Sequence, residues 1–162
     1  MQVVIMRHGE AALEAASDSV RPLTDCGCDE TVCMASWLNG RSVKIQRVLV
    51  SPYLRAQQTL EKVRQELTLP EQVDVLPELT PGGDPAQVAV ELQALAKEGV
   101  SAVLLVSHLP LVGYLVAELC PGHCPPMFAT SAMASVEINA ETGVGSFDWQ
   151  FSPSQVMTKV CG

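Results

Sequence analysis

The sequence predicts an α/β protein: a three-layer α/β/α sandwich with a largely parallel central sheet and a C-terminal hairpin. Three observations carry this. Short apolar runs alternate with stretches of helical period. The runs are continuous, as in strands covered on both faces. Two-residue alternation appears only near the C-terminus. A chain of 162 residues has the size of one domain with an ordinary core, and residues 1–162 are assigned to a single domain.

The elements follow in order. Gln2 to Met6 is an apolar run of strand length. Cys28, Val32 and Ala35 share a helical face behind Thr24 or Asp25 as cap. Val48 to Val50, extended back through Arg47, is a second strand, closed by Ser51-Pro52. Ala56, Leu60, Val63 and Leu67 repeat at spacings of four, three and four. A short strand is expected within Val73 to Leu76. Val88, Leu92 and Leu95 mark a helix opened by Asp84 as cap and Pro85 at its first position. "AVLLV", Ala102 to Val106, is the clearest strand, and Leu111, Leu115 and Leu119 form a helix face opened by Pro110. Val136 and Ile138, then Phe147, Trp149 and Phe151, alternate with polar residues around the Gly-containing turn "AETGVG". This is a hairpin signature.

Hydrophobic residues make up 48% and charged residues 17%, the balance of a globular chain. A net charge of −8 disfavours nucleic acid as a partner. No run approaches the roughly 20 apolar residues of a membrane helix, and no basic leader precedes the first strand. A cytoplasmic location with no membrane partner is therefore expected. In that setting the six cysteines, Cys26, Cys28, Cys33, Cys120, Cys124 and Cys161, are expected to be ordinary thiols. "CPGHC", with His123 between Cys120 and Cys124, fits no standard zinc spacing well.

In open α/β sheets, ligands bind beyond the carboxyl ends of the strands. The first strand runs into Arg7 and His8. The second runs into Ser51, with Arg55 opening the next helix. The "AVLLV" strand runs into Ser107 and His108. A lone strand-end arginine is more often a solvated charge, and a lone histidine more often structural. Here three separate strand ends deliver cationic or nucleophilic groups to one edge of the sheet, in a chain with only ten Lys and Arg. That coincidence points to an anion-binding, phosphate-type pocket.

"MRHGE" at Met6 to Glu10, "SPYLRAQQT" at Ser51 to Thr59 and "VSH" at Val106 to His108 resemble the histidine phosphatase, or phosphoglycerate mutase-like, superfamily. "SDSVRPLT" at Ser17 to Thr24, "VLPELTP" at Val75 to Pro81 and "SHLPLVGYLVAELCPG" at Ser107 to Gly122 resemble its smallest members, the SixA-type phosphohistidine phosphatases. The resemblance extends to about Trp149. It implies that His8 is a nucleophile that carries the phosphoryl group, and that Arg7 and Arg55 clamp its oxygens. It further implies a protonated His108 donating to the same oxygens, and Arg21 as a substrate-binding residue. Arg21 taken alone reads equally well as a surface loop arginine. Guanidinium suits the clamp because it is planar, always charged and bidentate.

Larger members of the superfamily place a carboxylic acid near the segment that here reads "PELTPGGD". Neither Glu78 nor Asp84 falls convincingly at that position. An alkoxide leaving group needs such an acid; imidazole, with a pKa near 6.5, does not. The expected substrate is therefore phosphohistidine on another protein: a histidine-phosphotransfer domain of a signalling relay, or a phosphocarrier of the phosphotransferase system. No cofactor or metal is expected, because the arginines supply the positive charge, and the chain is expected to act as a monomer. The alternatives are a small-molecule phosphomonoesterase and a non-catalytic phosphohistidine-binding module.

Overall fold

The computed structural model describes residues 1–161, with side chains described through residue 157. Strands β1 (Gln2–Arg7), β2 (Arg47–Val50), β3 (Asp74–Val75) and β4 (Ala102–Ser107) run parallel. Strands β5 (Met133–Ile138) and β6 (Gly145–Phe151) extend the sheet antiparallel, in the order β3-β2-β4-β1-β5-β6. Helices α1 (Asp25–Asn39), α2 (Leu54–Arg64), α3 (Pro85–Lys97), α4 (Leu111–Leu119) and α5 (Pro153–Cys161) complete the fold. No helix among the described residues is long and apolar enough to cross a membrane.

The continuous apolar strands are explained by two cores, one on each face of the sheet. Val3, Ile5, Val103 and Leu105 pack with α3 and α4; Val4, Met6, Leu104 and Val106 pack with α1, α2 and Val156 of α5. Successive residues of a strand point to opposite faces, so a strand buried on both sides shows no alternation. The predicted caps are in place: the Gly27 amide donates to the Thr24 hydroxyl (3.0 Å) and the Ala86 amide to Asp84 (2.9 Å).

Three features depart from the sequence reading. The buried face of α1 is Gly27, Thr31, Met34, Ala35 and Leu38; Cys28 and Val32 are only half-buried. Apolar periodicity misplaced this face because a glycine and a threonine occupy it. In β6, Phe147 packs into one core and Trp149 and Phe151 into the other. A bulge opposite Ser135 and Val136 shifts the pairing there, and one extra residue turns the following side chains to the other face. Helix α5 has no counterpart in the sequence reading. The side chain of Cys161 lies outside the described residues.

Close packing explains the glycine after His8. A Cβ on Gly9 would lie 2.8 Å from the Gly27 carbonyl and 2.8 Å from the Thr31 hydroxyl. A Cβ on Gly27 would lie 2.2 Å from the Glu10 carbonyl oxygen. The first turn of α1 therefore presses directly on the loop after β1. Gly27→Ala is expected to destabilise the fold by about 1–3 kcal/mol through this overlap. The readout is a lower urea midpoint at unchanged m-value; an unchanged midpoint would show that the two backbones separate freely.

Candidate active site

Parallel register brings the strand ends level. Arg7 pairs with Ser107 across β1 and β4, and Val50 with Val106 across β2 and β4. Backbone bonds continue past the strands: the His8 amide donates to the Ser107 carbonyl (3.0 Å) and the Ser51 amide to the Val106 carbonyl (3.1 Å). The residues that follow, His8 and His108, have ring centroids 5.0 Å apart. Both are buried, at 7% and 1% exposure. Arg55, at 4% exposure, reaches them from the first turn of α2.

His8 Nδ1 sits 2.7 Å from the Gly9 carbonyl oxygen. A carbonyl only accepts, so Nδ1 carries the proton and Nε2 keeps its lone pair. Arg55 Nε donates to that lone pair (3.2 Å). The loop is braced in turn: the Gly9 amide donates to Thr59 Oγ1 (2.9 Å), whose hydroxyl donates to the Arg55 carbonyl (2.7 Å). Thr59 thus ties the β1 loop to the helix that supplies Arg55.

Burial pushes the His8 imidazole down to about 4; the guanidinium groups of Arg55, Arg7 and Arg21 push the same way, opposed by the bond to Gly9. Burial lowers His108 further, to about 3, helped by His8, Arg55 and Arg7. Burial first, and then the same arginines that attract an anion, act against a charged imidazole at His108, whose protonated form the family resemblance implies. Folded-state values below the unfolded 6.5 mean that the unfolded chain binds more protons in this window. Both groups therefore favour the fold above pH 6.5, and that contribution is lost as pH falls toward 4 and 3. The expected NMR titration shows both rings neutral from pH 8 to 5; a midpoint near 6.5 for either would contradict their burial.

A further element at the site is the turn at Asp18–Val20, which Arg21 follows. Arg55 Nη1 donates to the Asp18 carbonyl (2.7 Å) and Nη2 to its carboxylate (3.2 Å), while Arg21 Nη1 donates to the other carboxylate oxygen (3.0 Å). Arg21 Nε donates to the Ala12 carbonyl (2.6 Å). The structure thus brings Arg21 to the site rather than leaving it as a loop charge. The bond from Arg21 holds the Asp18 carboxyl below the usual carboxylate range. A cavity of 270 Å³ lined by Leu13, Ala15, Ser17, Asp18 and Arg21 opens beside it.

Arg7 Nη1 donates to the Phe128 carbonyl (2.8 Å), and its Nε is buried without a partner. The only other partnerless buried side-chain nitrogen or oxygen among the described residues is Nδ1 of His108. Such atoms cost about 1–3 kcal/mol each when left unpaired, and both lie in this cluster.

Sequence reasoning missed Asp18. Its signal was local, an acid three residues before Arg21, but its pairing with Arg55 is tertiary. Neither carboxylate of the "PELTPGGD" segment bonds to this cluster. Asp84 is committed to its cap. Glu78 lies near Glu91, whose carboxyl is raised by burial first and by Glu78 next. "CPGHC" does not gather as a ligand set either: His123 stacks on Phe147 at 4.6 Å and its Nδ1 donates to the Cys124 carbonyl (2.9 Å). The one group with ligand-like spacing among the described residues is Glu10, Cys26 and Glu30, away from that motif.

Residues 3–81 match the family model of the histidine phosphatase superfamily (branch 1). The chain is 67% identical over 153 residues to phosphohistidine phosphatase SixA of Escherichia coli (strain K12), covering 94% of each. It is 40% identical over 143 residues to a phosphohistidine phosphatase SixA homolog of Haemophilus influenzae, covering 84% of this chain and 87% of that one. A solved structure of the protein histidine phosphatase SixA complexed with tungstate superposes with a TM-score of 0.95 at 65% identity, covering 96% of this chain and 99% of that one.

Proposed function

Because the chain belongs to the histidine phosphatase superfamily, we propose that it is a protein phosphohistidine phosphatase working through a covalent phospho-His8 intermediate. The observation that carries this is the pair of partnerless buried nitrogens, Arg7 Nε and His108 Nδ1, beside an imidazole whose tautomer points its Nε2 lone pair at Arg55. Arg7, Arg55 and Arg21 bind the phosphoryl oxygens, and His108 donates to them. Phosphoryl transfer depends on positioning and on charge stabilisation of those oxygens. Asp18 marks where an anion sits between Arg55 and Arg21. Its carboxylate is largely exposed, so its release costs little.

In the first step Nε2 of His8 attacks phosphorus and the P–N bond to the substrate imidazole breaks. A substrate ring protonated on its other nitrogen leaves as neutral imidazole, without help from a protein acid. In the second step water attacks phosphorus, the P–Nε2 bond breaks, and the proton from water stays with the phosphate. The Gly9 carbonyl keeps Nδ1–H in place throughout, so His8 also leaves as a neutral imidazole. Splitting the displacement in two is what covalent catalysis contributes.

Neither Glu78 nor Asp84 bonds to this cluster, which supports phosphohistidine over sugar phosphates, since an alkoxide would need such an acid. The substrate is a phosphohistidine-bearing protein, and we place it among histidine-phosphotransfer domains and phosphotransferase-system phosphocarriers. The test is a panel of such phosphoproteins beside sugar phosphates, following phosphate loss from each. Turnover of at least one phosphohistidine protein far above the sugar phosphates is expected. Fast sugar-phosphate turnover with none on phosphohistidine would overturn the reading.

A further inference from the structure

Both ring nitrogens of His8 have assigned partners, and the same accounting applied to His108 leads to Ser51. His108 Nε2 and Ser51 Oγ are 2.7 Å apart, and both residues are buried. One of the two atoms donates, and the distance alone does not say which. The Ser51 oxygen already accepts from the Tyr53 amide (3.2 Å). A hydroxyl has one hydrogen to give and two lone pairs. If Nε2 carried the proton, the oxygen would accept twice and the Ser51 hydroxyl hydrogen would have no acceptor in this group. Nδ1 would then be a bare lone pair, buried without a donor.

The opposite arrangement satisfies more atoms. The Ser51 hydroxyl donates to Nε2, the Tyr53 amide donates to Ser51, and the ring proton sits on Nδ1. The one unsatisfied group is then an N–H donor rather than a lone pair. Electrostatics agree. Nδ1 belongs to a ring 5.0 Å from the His8 ring, beside arginines that hold the Asp18 carboxylate. A lone pair there would repel a phosphoryl oxygen, and an N–H binds it.

We propose that Ser51 is a positioning residue that fixes His108 as its Nδ1–H tautomer, so that the ring offers a hydrogen-bond donor to the phosphoryl oxygens of the substrate. The proposal deepens the phosphatase reading and rests on it for the identity of the ligand. Ser51 acts only through His108. It sits at the strand end, bonded by its amide to β4, so its hydroxyl is set by the sheet rather than by a mobile loop.

Two measurements test it. In ¹⁵N-labelled protein at neutral pH, the His108 ring is expected to show a protonated Nδ1 and an unprotonated Nε2. Finding the proton on Nε2 overturns the proposal, whatever the enzyme turns over. Ser51→Ala is then expected to spread the proton over both nitrogens and to lower turnover of a phosphohistidine protein by about 10- to 1000-fold, the scale of losing one oriented donor. Ser51→Ala with wild-type turnover and an unchanged His108 spectrum overturns it as well. If Ser51→Ala does not fold, the wild-type spectrum still decides. A wild-type protein with Nδ1 protonated but no phosphohistidine activity would fail the functional reading and leave the tautomer assignment standing.

Discussion

His8→Ala is expected to lower turnover of phosphohistidine protein by about 10⁴-fold or more, the scale on which loss of an enzyme nucleophile is felt. It also removes the acid-labile phosphoenzyme. The size follows from the geometry. Nε2 of His8 carries a lone pair placed by a fixed tautomer, since Gly9 holds the proton on Nδ1. No neighbour replaces it: His108 Nε2 is engaged with Ser51. The fold should survive, because the backbone bonds of residue 8 to Ser107 and Ser131 do not involve the ring. The check is a quenched labelling experiment with single-turnover kinetics, beside a thermal melt. Turnover within tenfold of wild type would exclude a covalent route through His8.

Arg55→Lys is expected to be the second most damaging change, at roughly 10²- to 10³-fold in kcat, because it keeps the charge and loses the fork. Arg55 uses three nitrogens in three directions: Nε toward His8, Nη1 toward the Asp18 carbonyl and Nη2 toward the Asp18 carboxylate. An ammonium group occupies one point and cannot span His8 and two phosphoryl oxygens together. Its guanidinium also lies 5.1 Å from the Tyr53 ring centroid, within cation–π range. Steady-state kcat and KM on one phosphohistidine protein settle it. A loss of threefold or less would mean that charge alone, not geometry, is what Arg55 supplies.

Much of this site was legible in the sequence because its parts lie where backbone rules put them. A continuous apolar run followed at once by Arg7 and His8, another by Ser51, and a third by Ser107 and His108 can end at one place only in a parallel sheet. Arg55 was legible because it opens a helix. The tautomers were not, since they depend on a carbonyl for His8 and on a hydroxyl from another strand for His108. The forces on the charge of His108 were not legible either, because burial next to arginines is a tertiary quantity. Asp18 was unreadable for the same reason: its second partner is 37 residues away. The α1 face was misassigned because Gly27 and Thr31 are chosen for contact with the β1 loop, not for hydrophobicity.

Strand β1 lies between β4 and β5, with Val3 to Met6 fully buried. Beyond it the His8 backbone is pinned on both sides, its amide to Ser107 and its carbonyl to the Ser131 amide (3.1 Å). Segments tied into the middle of a sheet open only when the whole domain does, whereas exposed turns open easily. The two halves of the site therefore live on different timescales. The backbone that carries the nucleophile stays fixed for as long as the protein is folded. The adjustment needed to admit a phosphorylated partner and release phosphate falls to side chains and to the exposed turn that carries Asp18. Evolution could retune which partner is admitted by changing that turn, without disturbing the chemistry beneath it.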